Sequence, residues 1–197
     1  IREKHGVPAL AAAAYIDGNL AVAEAVGKRR VDDATKVTVA DRWHIGSCTK
    51  SMTASLAGLL IEEGRLGWED TVGKILGRKM NLHPGWNEVT LEQLLQNRSG
   101  APGNAPADLW ADAWKRKGTP RDQRRAFAEG LMKVPPEFAP GSKFQYSNQG
   151  FAIAGVMLEE ITNEAWEEMM RRRLFVPLEM RSAGFGAPNT SGLLDQP

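Results

Sequence analysis

The stretch that follows Ser47 restricts the fold more than any other part of the chain. Met52, Leu56, Leu59 and Leu60 recur at helical spacing, and Ala54, Ala57 and Gly58 stand between them. A helix with so apolar a surface needs neighbours on more than one side. Its small residues let those neighbours come close, and Gly64 supplies a stop. Whatever this chain folds into must therefore wrap other elements around residues 47–64.

The rest of the sequence offers those elements. Residues 7–16 and 20–26 are apolar runs joined by Asp17-Gly18-Asn19, which predicts a β-hairpin. Residues 42–45 predict one further short strand, ending at Gly46. Beyond Gly64 the pattern turns helical. Thr90-Leu91-Glu92-Gln93 has the form of a capping box opening a short helix. Residues 109–114 predict another, and Thr119-Pro120 places a cap and an N1 proline before a helix to about Met132. Pro135, Pro136, Pro140 and Gly141 impose an irregular passage. Helices then follow over about 149–161, with Phe151, Ala154, Met157, Leu158 and Ile161 on one stripe, and through Trp166, Met169, Met170 and Leu174. Strands first and helices afterwards indicate an α+β fold. The expected division is 1–65, strands and the Ser47 helix, and 66–197, mostly helical.

Composition narrows the function. In 197 residues, 25 Lys and Arg balance 24 Asp and Glu, for a net charge of +1. That offers no electrostatic grip on nucleic acid or an anionic membrane. The longest apolar run is about ten residues, too short to span a bilayer. No signal peptide is visible; the chain begins at Ile1, and its compartment, periplasmic or cytoplasmic, is left open. The single cysteine, Cys48, excludes an internal disulfide and a cysteine-based zinc site. His5, His44 and His83 are scattered without metal-ligand spacing, and no nucleotide-binding fingerprint occurs. No metal and no cofactor are expected.

Ser47-Cys48-Thr49-Lys50 opens the apolar helix. Lys50, one turn on, shares a face with Ser47. A serine hydroxyl is a weak nucleophile until a neighbouring base takes its proton. A neutral lysine can do this if its pKa falls from about 10.4 towards 7, a shift of about three units or about 4 kcal/mol. Desolvation and the positive end of the helix both act in that direction. The serine N–H at the helix start can also stabilise an oxyanion. The alternative is a capping serine beside an exposed lysine. Tyr146-Ser147-Asn148 closes the proline-rich passage at the start of an apolar helix. There a phenol can relay a proton and an amide can hold a carbonyl; a buried tyrosine and an asparagine cap would equally satisfy the site.

Residues Ile45-Gly46-Ser47-Cys48-Thr49-Lys50 resemble the S-x-x-K motif of the serine β-lactamase and penicillin-binding-protein superfamily. Pro140-Gly141-Ser142 through Tyr146-Ser147-Asn148 resembles its Y-x-N motif, about a hundred residues on. The hairpin beginning Val7-Pro8 and the ending Gly184-Phe185-Gly186 are similar too. The Y-x-N form resembles the branch of class C β-lactamases, D-alanyl-D-alanine peptidases and β-lactamase-like esterases, and no E-x-x-L-N stretch of the class A kind is present. The resemblance implies a β-lactamase/transpeptidase-like fold, an antiparallel sheet flanked by helices with a mostly helical region beside it. It implies Ser47 as the acylated nucleophile, Lys50 as its base, Tyr146 as a partner in proton transfer, and Asn148 as a substrate contact that orients Lys50. The substrate would be a β-lactam, a D-amino-acid peptide or a small carboxylic ester. The alternative is a sensor or binding module of the same fold that acylates without turnover.

The chain also departs from that pattern. No Lys-Thr-Gly or His-x-Gly follows Tyr146, so the third motif, its sheet strands and the second oxyanion donor are expected on a complementary C-terminal polypeptide. Residues 1–197 alone are expected to be inactive. Gln96-Asn97-Arg98-Ser99-Gly100 stands where relatives often read S-H-T-S-G. Trp110 and Trp114 are expected in the core rather than lining an acyl pocket. Arg171-Arg172-Arg173 is expected as a solvated helix end rather than an acid-binding site, and Cys48 as a small buried packing residue.

Overall fold

The computed structural model describes residues 1–189 and 196. They form two compact units: residues 1–46 with the described residues from 180 onwards, and residues 47–179. The division expected at residue 65 groups the Ser47 helix with the strands, whereas by compactness that helix lies with the helical unit.

In the first unit, β1 (Ala9–Ile16) pairs antiparallel with β2 (Asn19–Gly27), Ala9 opposite Gly27 and Ile16 opposite Asn19. Asp17 and Gly18 both take left-handed backbone angles, φ 50° and 78°. That is the two-residue turn whose twist matches the strands, and Asp-Gly suits it. The register shifts at Ala14/Tyr15, so that Ala14 faces Val22 while Tyr15 faces Leu20. Leu10, Tyr15, Ile16, Leu20, Val22 and Val26 are 44–67% exposed, so neither face of the hairpin is covered within this unit. After the hairpin, Arg29 donates two hydrogen bonds to the buried Asp41 carboxylate, at 2.9 and 2.7 Å, and Thr38 donates two more, from its N–H and its hydroxyl. The guanidinium of Arg29 holds that carboxyl below its ordinary pKa. The strand expected at 42–45 does not form: no described strand lies alongside to pair with it, and the Arg42 N–H donates to the Gln196 side chain instead.

The second unit is helical: α1 (Thr49–Glu62), α2 (Val72–Leu76), α3 (Leu91–Leu95), α4 (Ala107–Trp114), α5 (Pro120–Met132), α6 (Asn148–Thr162) and α7 (Trp166–Met170). Helix α6 is its axis, packing against α1, α2, α3, α5 and α7. Ile153, Ala154, Val156, Met157 and Leu158 are buried in it. Full burial of one such side chain contributes about 1.5–3 kcal/mol. Ser147 caps its start, accepting from the Gly150 N–H at 3.1 Å, and Asn163 ends it in a left-handed conformation. Helix α1 buries Thr53, Leu56, Ala57 and Leu60; Met52, Ala54, Gly58 and Leu59 are half-covered. Gly64 ends it as expected, at φ 70°.

Both Thr-led capping boxes form, Thr90 with Gln93 and Thr119 with Asp122. Helix α2 has no counterpart in the sequence reading. It is five residues long and interrupted by Gly73, too short to show a period, yet Val72 and Leu76 are fully buried. After Met170 the last helix widens into a π-helical turn, Arg171–Phe175.

A charged cluster ties α5, α6 and α7 together. Arg124 pairs with both Glu159 and Glu167, and the Glu159 carboxylate accepts the Trp166 N–H at 2.9 Å. Burial pushes the Glu159 carboxyl above its ordinary value, with Arg124 opposing. Three sequence expectations are corrected here. Trp110 and Trp114 are not core residues: they are 53% and 61% exposed, edge to face at 5.9 Å. Cys48 is exposed: the turn Gly46–Cys48 before α1 buries none of its residues. The arginine run is not merely solvated: the Arg172 guanidinium donates to both carboxylate oxygens of Glu164, and Arg173 pairs with Glu63.

Candidate active site

Ser47 lies in a short 3₁₀ turn, Gly46–Cys48, that runs directly into α1. Lys50 is three residues further, so one helical turn brings its stem back beneath Ser47. Tyr146 and Asn148 arrive from a distant part of the chain. The passage before them is fixed by residues 97–100: the Gly141 N–H donates to the Arg98 carbonyl (2.7 Å), the Glu137 N–H to the Gly100 carbonyl (2.9 Å), and the Gln145 N–H to the Asn97 carbonyl (2.8 Å). Gly100 is required there. Its φ is +82°, and a Cβ would stand 2.5 Å from the Phe138 carbonyl oxygen. Ser147 then caps α6, and Asn148 is its first residue.

The structure brings Ser47, Lys50, Tyr146 and Asn148 into one hydrogen-bonded group. The hydroxyls of Ser47 and Tyr146 are 2.5 Å apart. Lys50 Nζ donates to Ser47 Oγ at 3.1 Å and to Asn148 Oδ1 at 2.5 Å. The same ammonium lies 4.6 Å from the centre of the Tyr146 ring and 5.5 Å from that of Phe151. Lys50 and the Ser47 hydroxyl both hold the Tyr146 phenol below its ordinary pKa of 10, the Lys50 interaction being the larger, against a smaller opposing effect of desolvation. A phenol so placed loses its proton more readily than a free tyrosine, beside a hydroxyl that must lose one to attack.

Within this chain Ser47, Tyr146 and Asn148 are exposed and Lys50 is half-buried. No group of three or more metal-ligating side chains occurs among the described residues, and no helix among them is long and apolar enough to cross a membrane. All four members of the group are legible in the sequence, whereas Asn97, whose carbonyl accepts the Gln145 N–H beside Tyr146, is not. The only signal was local: an asparagine just past a short capped helix, where a left-handed residue ends the helix.

The Beta-lactamase family model matches residues 1–192. Penicillin-binding protein 4 of Amycolatopsis lactamdurans is 29% identical over 192 residues, covering 93% of this chain and 46% of its own. Among solved structures, the octameric penicillin-binding protein homologue from Pyrococcus abyssi superposes with a TM-score of 0.75 at 29% identity, over 92% of this chain and 41% of that one. A D-stereospecific amidohydrolase from Streptomyces sp. superposes with a TM-score of 0.69 at 28% identity, over 90% and 51%. The chain thus spans about half the length, or less, of these relatives. With the family match running over nearly every residue, and solved relatives sharing the β-lactamase/transpeptidase fold, the chain belongs to the Beta-lactamase family.

Proposed function

We propose that the complete protein containing this chain is a serine hydrolase that works through an acyl-enzyme on Ser47, and that its substrates are amides or peptides of D-amino acids. The observation that carries this reading is the hydrogen-bonded group of Ser47, Tyr146, Lys50 and Asn148. In it, Ser47 Oγ attacks the substrate carbonyl and gives up its proton to the Tyr146–Lys50 pair. Lys50 lowers the cost of negative charge on the phenol. Asn148 fixes Lys50 through its Oδ1 and offers its NH₂ to the substrate carbonyl. The Ser47 N–H, in the first turn of its helix, donates to the oxyanion. The pair then returns the proton to the leaving amine, and water repeats the sequence to release the acid.

The choice of a D-amino-acid amide follows from likeness to a D-stereospecific amidohydrolase and to penicillin-binding proteins. A second oxyanion donor and further sheet strands belong, on this reading, to the rest of the protein. The exposed apolar residues on both faces of the β1–β2 hairpin support that assignment. Stopped-flow hydrolysis of a D-phenylalanine p-nitroanilide by the complete protein tests it. Steady turnover is expected, abolished by Ser47→Ala. One equivalent of product with no further release would instead mark a sensor that acylates once.

A further inference from the structure

We infer that Asn97 is the positioning residue for proton transfer at Tyr146; this rests on the acyl-transfer reading above. Tyr146 is 46% exposed, so packing alone does not fix its side chain. Yet its hydroxyl must stay within hydrogen-bond reach of Ser47 Oγ to take a proton. What holds it is the backbone on either side. The Gln145 N–H donates to the Asn97 carbonyl at 2.8 Å, and the Ser147 N–H donates to Asn97 Oδ1 at 2.9 Å. One residue thus grips the N–H groups of both residues that flank the tyrosine.

Asn97 is itself fixed by the end of α3. Its N–H donates to the Leu94 carbonyl and the Arg98 N–H to that of Gln93, at 3.2 and 2.8 Å. These are the paired bonds of a helix stop with a left-handed residue, and Asn97 has φ 58°. Few residues meet both demands. Glycine takes the backbone conformation freely but has no side-chain acceptor; most others resist a positive φ. Asparagine tolerates it and carries an oxygen on a short arm. The grip extends beyond the tyrosine, because Ser147 caps α6 and Asn148 follows it. A shift at Asn97 therefore moves the partner of Ser47 and the partner of Lys50 together.

The test uses the complete protein, a p-nitrophenyl ester, and three variants: Asn97→Gly, Asn97→Asp and Ser47→Ala. Asn97→Gly keeps the carbonyl and the helix stop and removes the side chain that carries Oδ1. Its thermal midpoint should stay near that of the parent, since relief at the positive φ offsets the lost Ser147 N–H bond, while kcat falls by about 10- to 100-fold, as expected for a misplaced proton acceptor, with KM nearly unchanged. Asn97→Asp restores the acceptor, so the rate should recover. Its carboxylate disfavours the phenolate, so the rising limb of the pH–rate profile should move to higher pH. Loss of kcat at nearly unchanged KM in Asn97→Gly, rescued in Asn97→Asp, is the pattern that a purely structural role would not give. Parent-like kcat and pH profile in Asn97→Gly, with Ser47→Ala inactive, would overturn the positioning role. So would a rate loss that merely tracks a lowered thermal midpoint. Turnover surviving in Ser47→Ala would overturn the acyl-transfer reading and this inference with it.

Discussion

Tyr146→Phe removes one oxygen atom and leaves the ring in place. That oxygen is 2.5 Å from Ser47 Oγ. A positioned general base contributes about 10²–10⁴ in rate, which at about 1.36 kcal/mol per decade raises the barrier by about 3–5 kcal/mol. Stability should scarcely change. The ring is exposed, and surface substitutions of this kind stay within about 0.5 kcal/mol. The pH dependence follows from the lowered phenol pKa. In the parent, acylation should rise as pH passes through the depressed value, below 10. The variant should lack that limb. The same shift adds folding stability that is fully present above the unfolded value near 10 and is lost as pH falls through the depressed value. The assay is stopped-flow release of p-nitrophenol from an ester, over a pH series, with the thermal midpoint measured beside it. A parent-like acylation rate with an unchanged pH profile would refute Tyr146 as a proton acceptor.

Two further predictions concern the helical unit. Arg124→Leu leaves the buried Glu159 carboxylate without its guanidinium and should cost about 3–5 kcal/mol in denaturant unfolding at neutral pH. Because burial already raises the Glu159 pKa above its ordinary 4.5, the folded state takes up this proton before the unfolded chain does, so the deficit should shrink as pH falls through the raised value; a pH-independent deficit would contradict this. Leu158→Ala opens a cavity beside the axis of the unit, where Leu158 is fully buried, and should cost about 2–5 kcal/mol, read as a lower denaturation midpoint with an unchanged slope.

Much of the architecture was legible because local chemistry and tertiary context agree. Asp17-Gly18 forms the turn its side chains favour, and the Thr90 and Thr119 caps start helices where their spacing says they should. Ser47 and Lys50 share a face because both follow from one helical turn. The failures share a cause: the deciding partner is remote in sequence. Residues 42–45 have strand-like side chains but no described neighbour to pair with. Helix α2 is held by the burial of Val72 and Leu76, not by any period of its own. Trp110 and Trp114 read as core because they are large and apolar, yet α4 buries neither. Asn97 looked like a local departure in a loop; its bonds run to residues 145 and 147, nearly fifty positions away, which no local pattern displays.

If Ser47 is the nucleophile, intact-mass spectrometry of the complete protein will show it. After incubation with a fluorophosphonate, the account predicts one adduct per chain, carried on the peptide containing Ser47 and absent from Ser47→Ala. An adduct that persists in Ser47→Ala, or that maps to another residue of the parent, would contradict it.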